Sequence, residues 1–203
     1  MILTISREYG AAGLAVAEGV ARALALELVT NEVEHAAAAR LGTSSAEVAE
    51  AESGPPLAER LMRGFREATA ETADPNNPIL DFDESVRAEI EEAIRSRAQR
   101  GDVVFLGRFA NAVLAGRPDI VRVFLYAERA WRVARIAEVF ELAPERAASE
   151  VDRTDAERRT LAKDRYAIVW GGRANYDLIV NVGRLGIGGA TRAIVAAATA
   201  ARG

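Results

Sequence analysis

Two glycines lie in the turn between an apolar N-terminal strand and an alanine-rich helix. The strand and turn occupy Met1–Gly13, which ends Ser-Arg-Glu-Tyr-Gly-Ala-Ala-Gly. Backbone N–H groups at a helix N-terminus have no partner within the helix, and the helix dipole is positive there, so such a turn attracts anions. Glycine allows a ligand to approach the backbone closely. We therefore predict that Gly10 and Gly13 belong to a phosphate-binding turn.

This turn lacks the charge that phosphate-binding turns usually carry. In the pattern G-x-x-x-x-G-K-[ST], a lysine reaches the phosphates and a hydroxyl holds Mg²⁺. Here glycine, leucine and alanine fill residues 13–15, and Lys163 is the only lysine in the chain. On the functional interpretation, Arg7 supplies the missing charge, and Glu8 holds Mg²⁺ or orients Arg7. The alternative is an ordinary tight turn with a surface ion pair.

Further arginines lie where a ligand could reach them. Gly107-Arg108 directly follows an apolar run, and ligands of open α/β sheets bind at the carboxyl ends of strands. We expect Arg108 to face the ligand, with Asn111 adding a hydrogen bond one turn later. The alternating charges of Asp152–Arg159 are typical of a solvated helix face, although a lid of this kind would bring arginines over a transferring phosphoryl group. Gly183–Ile187 is either an ordinary turn or a turn around a base or ribose.

Composition narrows the possible functions. The 203 residues, half of them hydrophobic, suit one domain with an insertion. The absence of cysteine excludes disulfides and thiolate zinc sites, and a single histidine argues against histidine metal sites and a Ser-His-Asp triad. A net charge of −4 argues against a surface that coats nucleic acid. With no signal-peptide pattern and no membrane-spanning run, we expect a cytoplasmic protein with no membrane partner.

Short apolar runs alternate with helical stretches along the chain. Because continuous β-branched runs separated by helices indicate a parallel sheet covered on both faces, we predict a three-layer α/β fold. The predicted strands are Ile2–Ser6, Glu27–Thr30, Asp102–Leu106, Ile120–Tyr126 and Asp177–Val182.

Helices are predicted on either side of a long region that does not alternate with strands. The first is Leu14–Leu26, and the second is Asp83–Arg100 with Asp83 or Ser85 near its cap. Between them, proline-containing turns at 53–56 and 74–78 divide a helical region. Trp131 and Trp170 are interpreted as packing residues.

The chain resembles the cytidylate kinase-like family, a branch of the P-loop nucleoside monophosphate kinases. The resemblance is ordered and covers nearly the whole chain. Its motifs are Ile2–Ala17, Gly107-Arg108, Val121–Ala127 with Arg132 and Arg135, the pattern Asp152, Asp155 and Arg158, and the closing segments Asn175–Leu178 and Arg184–Ile187.

The resemblance implies a P-loop kinase-like fold with a five-stranded parallel sheet. It implies a single domain over residues 1–203, with a helical acceptor-binding insertion at about 31–90 and a closing lid at about 144–173. It also implies ATP-dependent phosphoryl transfer to a small acceptor, most simply a nucleoside monophosphate such as CMP, with Mg²⁺ bridging the ATP phosphates.

The positions of the residues and the resemblance together imply a role for each site residue. The expected catalytic residues are Arg7, Arg132, Arg153 and Arg158, which would act around the donor phosphates. The expected nucleotide-binding residues are Ser6, Glu8, Gly10, Gly13 and Arg184. The expected acceptor-binding residues are Arg108, Asn111 and Asp155, and no metal ligand is assigned to the protein itself.

The chain also departs from the family pattern. The family's Arg and Glu are replaced by Leu14 and Ala15, its glycine-rich centre by Ala11-Ala12, and an Asp of true cytidylate kinases by Phe109. Removing one donor aimed at developing charge typically costs about 10²–10³-fold in rate. A second hypothesis is therefore a non-catalytic relative that binds a nucleotide or another anion as a sensor or partner module. A dinucleotide-dependent enzyme is a third, which the missing G-x-G-x-x-G disfavours.

Overall fold

The protein contains a five-stranded parallel sheet. Its computed structural model describes residues 1–30 and 78–201, with side chains from Ser85 onward in the second range. The strand order is β2-β3-β1-β4-β5. The strands are β1 (Ile2–Arg7), β2 (Glu27–Val29), β3 (Val103–Leu106), β4 (Ile120–Tyr126) and β5 (Leu178–Asn181). The helices are α1 (Gly13–Leu24), α2 (Pro78–Gln99), α3 (Ala110–Val113), α4 (Arg129–Val139), α5 (Pro144–Tyr166) and α6 (Val182–Ala200).

The predicted α/β fold and its five parallel strands are confirmed, and the strand ends differ by a residue or two. The first helix ends at Leu24, two residues early, because Ala25 adopts a left-handed conformation and caps it. The predicted caps of the long second helix are wrong, since α2 already begins at Pro78. Proline suits a first helical position because no N–H is needed there. The predicted turn at 53–56 and the first four residues of the predicted turn at 74–78 lie outside the described residues, and Pro78 begins α2 instead.

Alternation along β1 separates its core-facing residues from its polar ones. Leu3 and Ile5 are fully buried in the core cluster with residues of α1 and α6, such as Val16 and Ile194. Successive side chains of a strand point to opposite faces, so Thr4 and Ser6 lie on the face away from α1. Arg7 ends the strand on the α1 face. Burial of apolar surface between sheet and helices thereby fixes where the site residues of β1 point.

The chain divides into two compact units. Residues 1–30 and 97–203 form the unit that contains the whole sheet, and residues 78–96 belong to the other. Most of the predicted acceptor-binding insertion lies outside the described residues, so the single-domain organisation stays a prediction. Among the described helices, none is long and apolar enough to cross a membrane.

Candidate functional site

Three arginines from distant parts of the sequence line one small cavity at the carboxyl ends of β1 and β3. Arg7 ends β1, Arg108 follows β3, and Arg158 comes from α5. The cavity has a volume of about 40 Å³ and is lined by Ser6, Arg7, Gly107, Arg108, Phe109, Arg158 and Trp170, which we call the arginine cavity. The lining residues that the structure describes include no carboxylate. A site with several guanidinium groups and no carboxylate attracts anions, phosphate above all.

The Arg7 side chain runs across the start of α1 and ends beside the turn after β3. A Cβ built on Gly13 would lie 2.7 Å from Cγ of Arg7, and one built on Gly107 would overlap the Arg7 guanidinium. Both glycines therefore make room for this side chain. Gly13 was predicted to let phosphate approach the helix N-terminus, but its close neighbour in the structure is the stem of Arg7.

The turn after β3 holds Arg108 in an unusual backbone conformation. Gly107, Arg108 and Phe109 have φ values of +81°, +56° and +49° in succession. A left-handed conformation costs a non-glycine residue about 1–2 kcal/mol, and such strain clusters at functional sites. The Phe109 ring stacks on Tyr166 at the end of α5, with 5.1 Å between ring centroids. The turn thus places Arg108 in the cavity wall and contacts α5 at the same time.

Arg158 lines the arginine cavity and is oriented by the end of β1 and the turn that follows it. Its Nη1 donates to the carbonyl oxygen of Arg7 at 3.0 Å, and its Cζ lies 5.8 Å from the centroid of the Tyr9 ring. Burial lowers the pKa of Arg158, Asp155 and Tyr9 oppose that shift, and the like charge of Arg108 adds to it. A bound anion between Arg108 and Arg158 would offset both the desolvation and the repulsion.

Arg132 and Asp155 form a buried ion pair behind the turn after β1, not in the cavity wall. They are 6% and 3% exposed, and Arg132 Nη1 lies 2.6 Å from Asp155 Oδ2. The pair binds both backbone groups of Tyr9. Asp155 Oδ1 accepts from the Tyr9 N–H at 2.8 Å, and Arg132 Nη1 donates to the Tyr9 carbonyl oxygen at 3.0 Å. This ring of hydrogen bonds fastens α4 and α5 to the turn.

Glu8 and Gly10 belong to the same scaffold. Glu8 Oε2 accepts from the Ala127 N–H at 3.2 Å and lies 3.1 Å from Arg132 Nε. Burial raises the pKa of Glu8, while the hydrogen bond from Ala127 and the charge of Arg132 oppose that rise. Gly10, with φ +83°, packs against α4, because a Cβ there would meet the Arg132 carbonyl oxygen and Ile136 Cγ1 at 3.0 and 3.1 Å.

The remaining predicted residues lie in different places. Asn111 is buried, and its Oδ1 accepts from Ser6 Oγ at 3.3 Å, so it supports a cavity residue from behind. Arg153 pairs along α5 with Glu150 at 2.6 Å and Glu157 at 2.7 Å on an exposed face. Arg184 is exposed in the first turn of α6. The structure therefore brings neither Arg153 nor Arg184 into the arginine cavity.

The glycine turn expected at 183–187 is part of a helix. Helix α6 starts at Val182, and Asn181 caps it by accepting from the Arg184 N–H at 3.1 Å. Only Gly186, with φ +67° and ψ +168°, interrupts the helical backbone. A cap formed by Asn181 explains why the helix begins directly after β5.

Aromatic residues of β4 line a second concavity together with Trp170. An open groove of about 360 Å³, lined by Glu8, Phe124, Tyr126, Trp170, Gly171 and Ile179, lies beside the ends of β4 and β5; we call it the aromatic groove. Trp170 lines both concavities and packs edge-on against Phe124, with 5.3 Å between ring centroids. Its interpretation as a packing residue was therefore incomplete. The sequence signal for its position at a concavity was an aromatic residue directly before the Gly171-Gly172 turn.

The residues of the site fit the anionic part of a nucleotide better than they fit Mg²⁺. The arginine cavity supplies guanidinium donors, the groups that suit phosphate oxygens. In the described part of the chain, no three acidic or histidine residues cluster as metal ligands. Glu8 is the carboxylate beside the turn, and its Oε2 already contacts Ala127 N–H and Arg132. The described residues do not make a Mg²⁺ site by themselves, so no chemical step is assigned to the ion.

Comparison with known proteins identifies the relatives of this chain. The model of the cytidylate kinase-like family matches residues 2–184. Among solved structures, the chain is similar to an uncharacterized protein from Eubacterium ventriosum, with 20% identity, a TM-score of 0.72 and 98% of each chain covered. It is similar to shikimate kinase from Bacteroides thetaiotaomicron, with 11% identity, a TM-score of 0.51 and 96% of each chain covered. These similarities show a P-loop kinase fold. No curated protein matches the sequence.

Proposed function

We propose, from the premise that the chain belongs to the cytidylate kinase-like family, that this protein transfers a phosphoryl group from a nucleoside triphosphate to a small anionic acceptor. The simplest donor is ATP, and the simplest acceptor is a nucleoside monophosphate such as CMP. Membership of a kinase-like family supports nucleotide-dependent phosphoryl transfer in general. The identity of the acceptor is the finer part of the proposal.

The observation that carries the proposal is the arginine cavity. It lies at the carboxyl edge of the sheet, where ligands of open α/β folds bind. Arg7, Arg108 and Arg158 line it together, although they are more than 40 residues apart in sequence. Guanidinium groups held around one small space suit the charge that phosphoryl oxygens carry during transfer.

Each of these arginines has a distinct proposed role. Arg7 takes the place of the absent lysine by reaching over Gly13 toward Gly107. Arg158 is already oriented by its hydrogen bond to the Arg7 carbonyl, so little reorganisation is needed when charge develops. Arg108, in its strained turn, binds the acceptor phosphate. Arg132 and Asp155 act as positioning residues, because they hold the turn and do not line the cavity.

A non-catalytic binding function is the second candidate, and one observation favours it. The stem of Arg7 packs over Gly13, where a nucleotide phosphate would otherwise approach the N-terminus of α1. Leu14 and Ala15 add no polar group to the first turn of that helix. On this alternative, the arginine cavity binds a nucleotide or another anion without turnover.

Turnover and binding measured side by side separate the two candidates. The protein is incubated with ATP, Mg²⁺ and a panel of nucleoside monophosphates, and ADP release is followed while thermal shifts are recorded for each ligand. A ligand that binds the native state raises the melting temperature by mass action. The kinase proposal predicts turnover that falls by about 10²-fold or more in Arg108→Ala.

Arg153→Ala is the matched control, since it removes an exposed arginine of α5 that does not line the cavity. It is expected to leave turnover unchanged. A thermal shift without turnover supports the binding function instead. No response to any nucleotide contradicts the kinase function and also contradicts nucleotide binding as the second function.

A further inference from the structure

A buried tyrosine hydroxyl behind the arginine cavity has no hydrogen-bond partner among the described residues. Tyr176 is 7% exposed, and its hydroxyl oxygen is enclosed. Folded proteins pair nearly all such groups, because an unpaired one loses its hydrogen bonds to water and gains none in return. We therefore looked for a state of the protein in which this hydroxyl gains a partner.

The residue that follows Tyr176 fixes its position. Asp177 binds Arg122 of β4 through backbone and side chain: its N–H donates to the Arg122 carbonyl oxygen at 2.8 Å, and its Oδ2 accepts from the Arg122 N–H at 2.8 Å. The Tyr176 ring packs on Phe124, with 5.0 Å between ring centroids. Because the ring is held in place, the groups around the hydroxyl decide what it can bind.

Ser6, Asn111 and the backbone of Gly171 surround the Tyr176 hydroxyl. Burial raises the pKa of Tyr176, and these three neighbours oppose that rise, so their polar groups lie near its oxygen. Ser6 Oγ donates to Asn111 Oδ1 at 3.3 Å, which is long for a hydrogen bond from a hydroxyl. Ser6 also lines the arginine cavity. The side chains of Tyr176, Asn111 and Ser6 therefore connect the buried hydroxyl with the anion site.

The donors and acceptors of these three side chains are mismatched. A hydroxyl donates one proton, and an asparagine offers one carbonyl oxygen and one NH₂ group. With Oδ1 of Asn111 turned to Ser6, the Ser6 proton is used inside the protein, and the Tyr176 hydroxyl has no partner. Rotation of the Asn111 amide exchanges its oxygen and its nitrogen. Oδ1 then accepts from Tyr176, Nδ2 donates to Ser6 Oγ, and the Ser6 proton is available to a ligand.

We propose that Tyr176 and Asn111 are positioning residues that turn the Ser6 hydroxyl toward an anion in the arginine cavity. In the bound state, hydrogen bonds run from Tyr176 through the Asn111 amide and the Ser6 hydroxyl to a phosphate oxygen. Each hydroxyl in this chain has an acceptor, and successive hydrogen bonds polarise one another. The anion favours this state, because a charged acceptor forms the stronger hydrogen bond. This role rests on the proposed function, since it needs phosphate in the arginine cavity, but it does not need turnover.

Tyr176→Phe tests this role, because it removes the hydroxyl and keeps the ring. Titration calorimetry of the full-length protein with inorganic pyrophosphate measures anion affinity, and thermal unfolding without ligand measures stability. We expect the affinity to fall by about 5-fold, because the bound state loses one hydrogen bond. The melting temperature of the ligand-free variant is expected not to fall, because the hydroxyl has no described partner in that state. A tyrosine with a merely structural role would give a lower melting temperature and unchanged affinity.

Thr4→Val is the matched control. Thr4 is 1% exposed, and its Oγ1 is likewise enclosed without a partner among the described residues. It lies two residues before Ser6 in β1, on the same face of the strand, but it does not line the arginine cavity. We expect this variant to bind pyrophosphate as the wild type does. An affinity loss equal to that of Tyr176→Phe would contradict a specific role for Tyr176.

Two further measurements test whether Tyr176 acts through Ser6. Ser6→Ala removes the donor to the anion and is expected to weaken pyrophosphate binding by about 10-fold. Tyr176→Phe should have little further effect in the Ser6→Ala background, because both changes interrupt the same chain of hydrogen bonds. In NMR spectra of the wild type, pyrophosphate is expected to move the side-chain amide protons of Asn111 downfield, since they gain Ser6 Oγ as an acceptor. This shift should be absent in Ser6→Ala.

The outcomes separate the role of Tyr176 from the proposed function. Wild-type pyrophosphate affinity in Tyr176→Phe, or additive losses in the double variant with Ser6→Ala, overturns the role of Tyr176. The arginine cavity still stands in that case if Arg108→Ala weakens binding in the same titration. If pyrophosphate does not bind the wild type, or binds Arg108→Ala with full affinity, the arginine cavity fails and the role of Tyr176 fails with it.

Discussion

Three arginines that follow β4 look alike in the sequence and have different surroundings in the structure. Arg132 is buried and paired with Asp155, Arg158 lines the arginine cavity, and Arg153 forms ion pairs on an exposed face. Arginines that are close in sequence therefore differ in burial and in the groups that they contact. The Arg132 guanidinium holds α4 and α5 against the turn after β1, the Arg158 guanidinium lines the arginine cavity, and the Arg153 guanidinium is exposed to solvent.

The register of α5 explains the difference between Arg153 and Arg158. The buried residues of the helix are Ala147, Val151, Asp155 and Ala162, which recur at helical spacing on one face. Arg158 lies three residues after Asp155 and shares that face, whereas Arg153 does not. Because both Asp155 and Arg158 contact the turn after β1, α5 is attached to the turn at two points.

The largest expected effect belongs to the buried arginine. Arg132→Ala leaves Asp155 buried without its partner, which typically costs about 3–5 kcal/mol of stability. Urea unfolding measures the loss, and Asp155→Ala is expected to lose a similar amount. In the double variant the two losses should be far from additive, because each removes the same interaction. A loss below about 1 kcal/mol in either single variant contradicts the fastening role.

Gly107→Ala is expected to have the next largest effect, because it acts on Arg7. The new Cβ overlaps the Arg7 guanidinium and also requires a positive φ. Gly116→Ala is the matched control, since Gly116 has φ +89° but open space around its Cβ position. We expect the control to lose about 1–2 kcal/mol from backbone strain and Gly107→Ala to lose more. Equal losses in urea unfolding would mean that Arg7 does not lie against Gly107.

Two substitutions of Arg108 are expected to change stability less, and they separate an effect on stability from an effect on anion binding. Its φ of +56° favours glycine, so Arg108→Gly is expected to be about 1 kcal/mol more stable than Arg108→Ala. Both variants are expected to lose anion binding, because both lack the guanidinium. Thermal unfolding and pyrophosphate titration of the pair provide the measurement. Equal stability of the two variants speaks against the strained turn.

Arg153→Ala is expected to have the smallest effect. Its partners Glu150 and Glu157 lie on the same helix, and exposed pairs of this kind contribute about 0.3–0.5 kcal/mol each. Urea unfolding should therefore change by less than about 1 kcal/mol, and anion binding should be unchanged. A loss as large as that of Arg132→Ala would remove the distinction between the two arginines.

The fold could be predicted well from the sequence because buried parallel strands carry a strong local signal. Runs such as Val-Arg-Val-Phe-Leu-Tyr in β4 mark a strand wherever they occur. Helix ends were less predictable: Ala25 adopts a left-handed conformation without being glycine, and α2 starts at a proline that was interpreted as part of a turn. Tertiary packing decides such positions, not local propensity.

The candidate site was predicted in part. Arg7 and Arg108 were found because they follow strands, and the carboxyl ends of parallel strands meet at one edge. The different surroundings of Arg132, Arg153 and Arg158 depend on which face of each helix is buried. The alternating charges of the sequence do not show which face that is. The spacing of Ala147, Val151 and Asp155 indicates the buried face of α5. Because Asp155 is charged, however, these residues do not form a continuous apolar stripe in the sequence. Trp170 was interpreted as a packing residue, because the two concavities that it lines form only in the folded chain.

We propose that the arginine cavity, and not the arginine-rich surface of α5, binds the phosphates of the ligand. Calorimetric titration of a nucleoside triphosphate into the wild type, Arg158→Ala and Arg153→Ala at one ionic strength tests it most directly. We expect at least about 10-fold weaker binding in Arg158→Ala, since a charged hydrogen bond is lost, and wild-type affinity in Arg153→Ala. Equal weakening in both variants, or full affinity in Arg158→Ala, would contradict it.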